Sequence, residues 1–340
     1  MLVSTAINHL LQEAKEGPTF RRSSCYRSRF RKNDCRKCVD VCGNQALRFD
    51  DKKIIHDINR CSGCMSCLSV CPADAFEWEG DWQWNLLKSI AKSAKPIIGC
   101  SRNTGEERSL TIPCLGIFPE AFLLAAAFST EEQITLDLSN CDKCVNRHIV
   151  PALERSINSI EKSLSISLSR KIRLVSDPAE IMNKGLEMGR RKFFGDFKQR
   201  VQFRSKLTVD NFTDNSEVTH RGQHQKEPSI ENQLLCYALK LSDCHNREGI
   251  LGSYFYSMTV NEHCKTCGGC AGMCPTGAIK LKRDKTAKHL LFNVLDCNGC
   301  GLCRDFCRQQ AISLNLGADL KTPLITKLSV KSVEPTLLVN

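Results

Sequence analysis

What the sequence lacks narrows its class first. No apolar run approaches the roughly 20 residues that a membrane-spanning helix needs; the longest, Ala121 to Phe128, stops far short. The opening stretch MLVSTAINHLLQEAKEG has neither a secretory apolar core nor a small-residue cleavage site, so a cytoplasmic location is expected. Aromatic residues are sparse at 6%, and all three tryptophans, Trp78, Trp82 and Trp84, fall in one short stretch. There is no G-x-G-x-x-G dinucleotide loop, no Walker motif and no C-x3-C-x2-C radical motif. None of the eight histidines has a recognisable relay partner, so no catalytic residue is assigned. Wholesale disorder is excluded, because 25% of the 340 residues are charged and 41% hydrophobic. That length suits two or three domains with a substantial core.

Cysteine, by contrast, is abundant: 22 residues, too dense for ordinary packing. In a reducing compartment this load points to metal rather than disulfides. Cys264, Cys267, Cys270 and Cys274 form C-x2-C-x2-C-x3-C before Pro275, and Cys297, Cys300, Cys303 and Cys307 repeat the spacing. Cys61, Cys64, Cys67 and Cys71 form it again before Pro72. Upstream lies an incomplete copy, Cys35, Cys38 and Cys42, with Lys32 at its first position. Cys25 precedes that vacant position and is the natural replacement. Gly63, Gly269 and Gly299 stand beside the ligands, where glycine lets the backbone approach a cluster and aim N–H groups at it. Ala46–Ile58 and Ala278–Leu295 each read as two short strands around a charged turn.

This spacing is that of bacterial two-cluster ferredoxins, and both ends of the chain resemble that family, over roughly residues 25–80 and 258–316. The resemblance implies [4Fe–4S] cubanes in which three closely spaced thiolates hold one cube and the fourth cysteine of the run holds the other. Carried over residue by residue, one C-terminal cluster takes Cys264, Cys267, Cys270 and Cys307, and its neighbour Cys297, Cys300, Cys303 and Cys274. In the N-terminal module one takes Cys61, Cys64, Cys67 and Cys42, and the other Cys25, Cys35, Cys38 and Cys71. Gly43 and Arg308 replace the usual proline after the fourth cysteine. Arg27, Arg29, Arg31, Lys32, Arg36 and Lys37 surround the Cys25 set; either they favour its reduced state and give it the highest potential of its pair, or they simply solvate a loop. Zinc is the rival metal, although triplets with a distal fourth cysteine match paired zinc knuckles poorly.

Four more cysteines, Cys100, Cys114, Cys141 and Cys144, lie at the C-terminal ends of expected strands: Lys95–Gly99, the stretch from Leu110, and Gln133–Leu138. A helix is expected over Pro119–Thr130, with proline in its first turn. In an α/β unit such strand ends converge on one edge. The pattern resembles the small iron–sulfur subunit of methyl-viologen-reducing hydrogenases, with Asn103 where that family often has a further cysteine. The resemblance implies a [2Fe–2S] centre. Zinc held by Cys141, Cys144, His148 and another cysteine remains an alternative, as do four buried thiols without metal. Cys236 and Cys244 are read as unligated core residues.

The expected fold class is α+β, with two ferredoxin-type modules flanking a small α/β domain and a helical and linker region. The boundaries expected are an N-terminal helix over 1–20, the first module over 21–85, the four-cysteine domain over 86–150 and a helical basic segment over 151–206. A linker over 207–229, a helical lead-in over 230–257, the second module over 258–316 and a tail over 317–340 complete the chain. Basic and aromatic residues interleave over 182–206, which suits docking to a partner or to the chain itself better than nucleic-acid binding. The expected function is single-electron transfer through four [4Fe–4S] clusters and a central [2Fe–2S] site, the modules being joined through the middle domain. By resemblance the chain serves a hydrogenase, heterodisulfide-reductase-like or formate-dehydrogenase-like oxidoreductase, as a subunit of a hetero-oligomer with other redox subunits or soluble donor and acceptor proteins. A reductase acting at the central site and a zinc-dependent nucleic-acid-binding protein are the alternatives. Four oxidised cubanes, each about −2 with its thiolates, would bring the formal +11 to about +3, so the loaded protein is close to neutral.

Overall fold

Short strands bracket the cysteine runs because each run is too rich in turns to sustain a longer element. In the computed structural model, which describes residues 17–50, 53–103, 109–182, 226–283, 288–318 and 325–328, the N-terminal region contains two antiparallel pairs. Strand β1 (Thr19–Phe20) pairs with β4 (Phe76–Glu77), and β2 (Leu47–Asp50) with β3 (Lys53–His56). Between them lie single-turn helices at Tyr26–Arg29, Lys37–Asp40 and Ser66–Ser69. The hairpin expected within Ala46–Ile58 is present.

The middle of the chain forms a four-stranded parallel sheet from β5 (Ile97–Cys100), β6 (Leu110–Ile112), β7 (Ile134–Asp137) and β8 (Ile172–Val175), in the order β6-β5-β7-β8. Parallel strands need cover on their faces. The helix Glu120–Ser129 supplies it with an almost wholly buried surface, from Ala121 through Ala127. The helix Ile149–Leu164 is amphipathic and buries Ile149, Leu153, Ile157, Ile160 and Leu164. This domain extends past the boundary expected at 150, because that helix leads into β8, which pairs with β7 along its whole length. Four residues, Ile-Arg-Leu-Val, carry too little periodicity to announce a strand; pairing with β7 is what makes them one.

Beyond residue 226, the helix Ile230–Leu241 begins at Ser229, whose Oγ accepts from the Asn232 amide at 3.3 Å. It packs along Glu120–Ser129. A second helix, Cys244–Tyr254, is capped by Asp243, which accepts from the Asn246 amide at 2.8 Å. Strand β9 (Tyr256–Val260) then pairs with β12 (Ile312–Leu316), enclosing a hairpin of β10 (Ile279–Arg283) and β11 (Lys288–Asn293). A fifth strand, β13 (Ile325–Leu328), adds to β11 from the segment expected to be a tail. An outer pair of first and last strands around an inner hairpin is thus found at both ends of the chain.

One apolar core runs from Met65 through the middle domain to Ile312, and a small separate one (Cys38, Leu47, Phe76) lies within the N-terminal region. The tryptophans belong to the larger core by ordinary packing. Trp82 lies 5.5 Å from Phe122 and 6.3 Å from Phe118 between ring centroids, and Trp84 meets Tyr237 edge-on at 5.6 Å. The basic aromatic stretch beyond Met182, almost all of the 207–229 linker and the first 16 residues lie outside the described residues.

Candidate metal centres

Backbone turns define the cysteine loops. The residue directly before the second cysteine of each complete run is left-handed, at Gly63, Thr266 and Gly299 (φ 67°, 46° and 66°). So is the residue directly after it, at Met65, Gly268 and Gly301 (φ 60°, 80° and 73°). Gly269 itself is not left-handed; in its run Thr266 and Gly268 hold the two turns, and a β-branched residue there is an outlier that only a constraining loop sustains. Three residues after each fourth cysteine, Gln45, Asp74, Gly277 and Gln310 are left-handed in turn (φ 51°, 46°, 76° and 49°). Each is followed by a buried alanine: Ala46, Ala75, Ala278 and Ala311. This last turn occurs in all four copies. The first two are missing from the incomplete copy, where Arg36 has φ −136°. The turns aim amides at sulfur: Ala46 N donates to Cys42 Sγ at 3.2 Å and Ala75 N to Cys71 Sγ at 3.3 Å.

Several of the thiols lie close enough to act on one another. Burial first, then the neighbouring Cys71, Cys35 and Cys25 thiols, push Cys38 up to about 12. Cys67 is raised well above its ordinary value by burial and then by Cys64, Cys61, Cys38 and Cys42, so Cys38 adjoins both groups. Cys42, Cys61, Cys64 and Cys67 also line one small apolar cavity. In the C-terminal region Cys303 is raised by burial and by Cys300, Cys297 and Cys274, and Cys297 is pushed up to about 12 by burial with Cys300 and Cys274 beside it. Cys270, pushed up to about 11 by burial, has Cys264 and Cys267 beside it. Cys307 ends the helix Leu302–Phe306, which packs on Gly269–Met273. Cys267 is exposed. Of the basic residues around the Cys25 set, Arg27 stacks over Phe49 at 4.1 Å and Arg36 pairs with Asp40 at 2.7 Å.

Cys100, Cys114, Cys141 and Cys144 gather where β5 runs between β6 and β7, the switch point of the sheet. Burial, then Cys100, Cys114 and Cys144, push Cys141 up to about 12. A cavity of about 410 Å³ opens on Cys100, Cys141 and Cys144, with Arg102 and Lys143 on its wall. Asn103 holds the loops around it: its Nδ2 donates to Asp137 Oδ2 and to Ser139 Oγ, each at 3.0 Å, and its Oδ1 accepts from Asn140 at 2.7 Å. The imidazole of His148 lies against Gly43 in the N-terminal region, while the groups acting on Cys141 are thiols and Asp137. Cys236, in contrast, has Asp296 and Lys240 as its charged neighbours.

The central group touches the N-terminal module. Burial raises Cys114 to about 11, and Cys64 stands first among the thiols acting on it. Asn146 Nδ2 donates to the Ser62 carbonyl at 3.3 Å and to Cys114 Sγ at 3.8 Å, while Arg102 donates to the same carbonyl at 2.8 Å. Asn146 has no spacing or composition signal, and only packing reveals it. Among the described residues, no three His, Cys, Asp or Glu side chains gather closely enough to hold a single metal ion. A zinc ion about 2.3 Å from each sulfur requires nearly touching thiolates, whereas an iron–sulfur cluster several atoms across holds them farther apart.

The 4Fe–4S dicluster domain matches residues 33–78. The polyferredoxin protein MvhB of Methanothermobacter marburgensis is 37% identical over 71 residues, which cover 18% of this chain and 17% of that protein. An uncharacterized ferredoxin of Methanocaldococcus jannaschii is 31% identical over 55 residues, which cover 16% of this chain and 71% of that protein. The chain thus spans about a sixth of the polyferredoxin's length. No solved structure matches. With cysteine loops of this geometry inside the matched region, the chain belongs to the ferredoxin family and is a polyferredoxin-like iron–sulfur protein.

Proposed function

We propose that the protein carries single electrons through four [4Fe–4S] clusters and a central [2Fe–2S] centre as a subunit of a larger oxidoreductase. The observation that carries this reading is the turn shared by all four cysteine runs, a left-handed residue followed by a buried alanine. It gives the C-terminal region the local architecture of the region matched by the 4Fe–4S dicluster domain. When bound, each cluster supplies reversible one-electron storage. The chain itself holds the thiolates, directs amides at sulfur and excludes water. Cys42, Cys61, Cys64 and Cys67 would hold one cluster and Cys25, Cys35, Cys38 and Cys71 the next. Cys274, Cys297, Cys300 and Cys303 would hold a third, and Cys264, Cys267, Cys270 and Cys307 the fourth. Cys100, Cys114, Cys141 and Cys144 would hold the central one.

Anaerobic purification with iron, acid-labile sulfide and zinc counts tests this. About 18 iron per chain is expected, about 16 of it in cubanes; zinc without sulfide would overturn the reading. The cavity beside Cys100, Cys141 and Cys144 favours a second reading, in which the central site reduces a disulfide compound at an open iron, two electrons and two protons giving two thiols. A central signal that shifts on adding such a compound to the loaded protein supports it; an unmoved signal leaves simple electron transfer.

A further inference from the structure

Chain order puts the middle domain between the two cysteine-rich ends, but the fold brings those ends into direct contact. Tyr26 is buried, and its hydroxyl donates to the Pro72 carbonyl at 2.7 Å. Asn298 Nδ2 donates to the same carbonyl at 2.8 Å and also meets the Tyr26 hydroxyl. Pro72 directly follows Cys71, and Asn298 directly follows Cys297. One hydrogen bond therefore joins two residues that are each covalently attached to a ligand, one in each module. The Cys300 and Cys71 thiols both lie near enough to act on the Tyr26 hydroxyl. A ring contact supports the same face: Phe30 meets Phe306, the residue before Cys307, edge-on with centroids 5.9 Å apart. On its other side the N-terminal module touches the central site through Cys64, Ser62 and Asn146.

We infer that Asn298, supported by Tyr26, is the positioning residue of a direct electron junction between the modules, which makes the N-terminal module the middle of the path and the central site one of its ends. The inference rests on the four-cubane reading. The step needs no co-reactant, because the electron that leaves the Cys25, Cys35, Cys38 and Cys71 site is the one that enters the Cys274, Cys297, Cys300 and Cys303 site. The Asn298–Pro72 bond shortens the covalent gap between them, and the buried Tyr26 ring keeps water out of it.

The test uses the full, anaerobically loaded chain. In fully reduced protein, the paramagnetic signal that Cys38→Ala removes is expected to be coupled to the C-terminal module. Its relaxation should therefore slow in Cys300→Ala and stay unchanged in Cys141→Ala. A signal that ignores Cys300→Ala overturns the junction. In Asn298→Ala and Asn298→Asp, which lack the donor, electron redistribution between modules after rapid partial reduction should slow several-fold at unchanged iron and sulfide content. Unaltered rates in both would remove Asn298 from the path. The coupling measurement leaves Asn298 in place, so it decides the route even where those variants lose iron. An iron and sulfide count short of four cubanes would instead defeat the underlying reading.

Discussion

At Gly116 the space a side chain would take is already filled, on one side by the Cys64 carbonyl oxygen and on the other by Ile149. This is where the middle domain rests on the N-terminal cysteine loop. Gly116→Ala is expected to cost about 1–3 kcal/mol through overpacking, read as a lower denaturation midpoint. The same change should disturb the spectra of the two sites that meet there. Cys25 is a second residue with a specific expectation. Its thiol acts on Cys38 together with those of Cys35 and Cys71, although it lies outside the regular spacing. Cys25→Ser should lower the iron count by about four and spare the other sites; an unchanged count would show that another group completes the set.

The helix Ile230–Leu241 links the middle domain to the C-terminal loops. Asn232 is buried on it, and its Nδ2 donates to the Leu295 carbonyl at 2.8 Å and the Cys297 carbonyl at 3.1 Å. Asn232→Ala would leave both carbonyls without that donor and is expected to cost roughly 1–3 kcal/mol, measurable by chemical denaturation. On the facing helix, Glu120 accepts from the Tyr254 hydroxyl at 2.9 Å, and burial raises its pKa above 4.5. A carboxyl raised on folding binds its proton more tightly in the native state. Its stabilising contribution is therefore complete below the unfolded pKa and is lost as pH rises through the folded one. Glu120→Gln keeps an acceptor for Tyr254 and removes the titration. Denaturation midpoints followed from mildly acidic to neutral pH should fall less in the variant; parallel curves would contradict the assignment.

For the whole molecule, the continuous core from Met65 to Ile312 ties the parallel sheet to the C-terminal strands. Trp82 and Trp84 fasten the segment after Cys71 to the same core. Cluster binding is coupled to folding because the thiolates are assembled only in the native state. Removing iron with a chelator should therefore lower the unfolding temperature of the molecule in one calorimetric transition. Two well-separated transitions would mean that the ends unfold as independent units. Among the described residues no helix is long and apolar enough to cross a membrane.

Much of the candidate chemistry was legible in the sequence, since the spacing of thiolates within a run reflects a local loop that must reach one cluster. Cys-x2-Cys-x2-Cys marked three of the four runs, short strand patterns around charged turns pointed to the hairpins between runs, a proline start pointed to the helix Glu120–Ser129, and amphipathic periodicity to Ile149–Leu164. Strand β8 was not legible, because four residues acquire strand character only by pairing with β7. Nor were Asn146, Asn298 and Tyr26, ordinary residues made important by what lies across the fold from them. The sequence by itself therefore determined the spacing of the thiols within each run. Only the tertiary structure decided which distant residues meet, bringing Cys64 near Cys114 and Asn298 onto the Pro72 carbonyl. The physical reason is that ligand spacing is a short-range property of the chain, whereas the order of the groups in space follows from burying apolar faces that lie far apart along it.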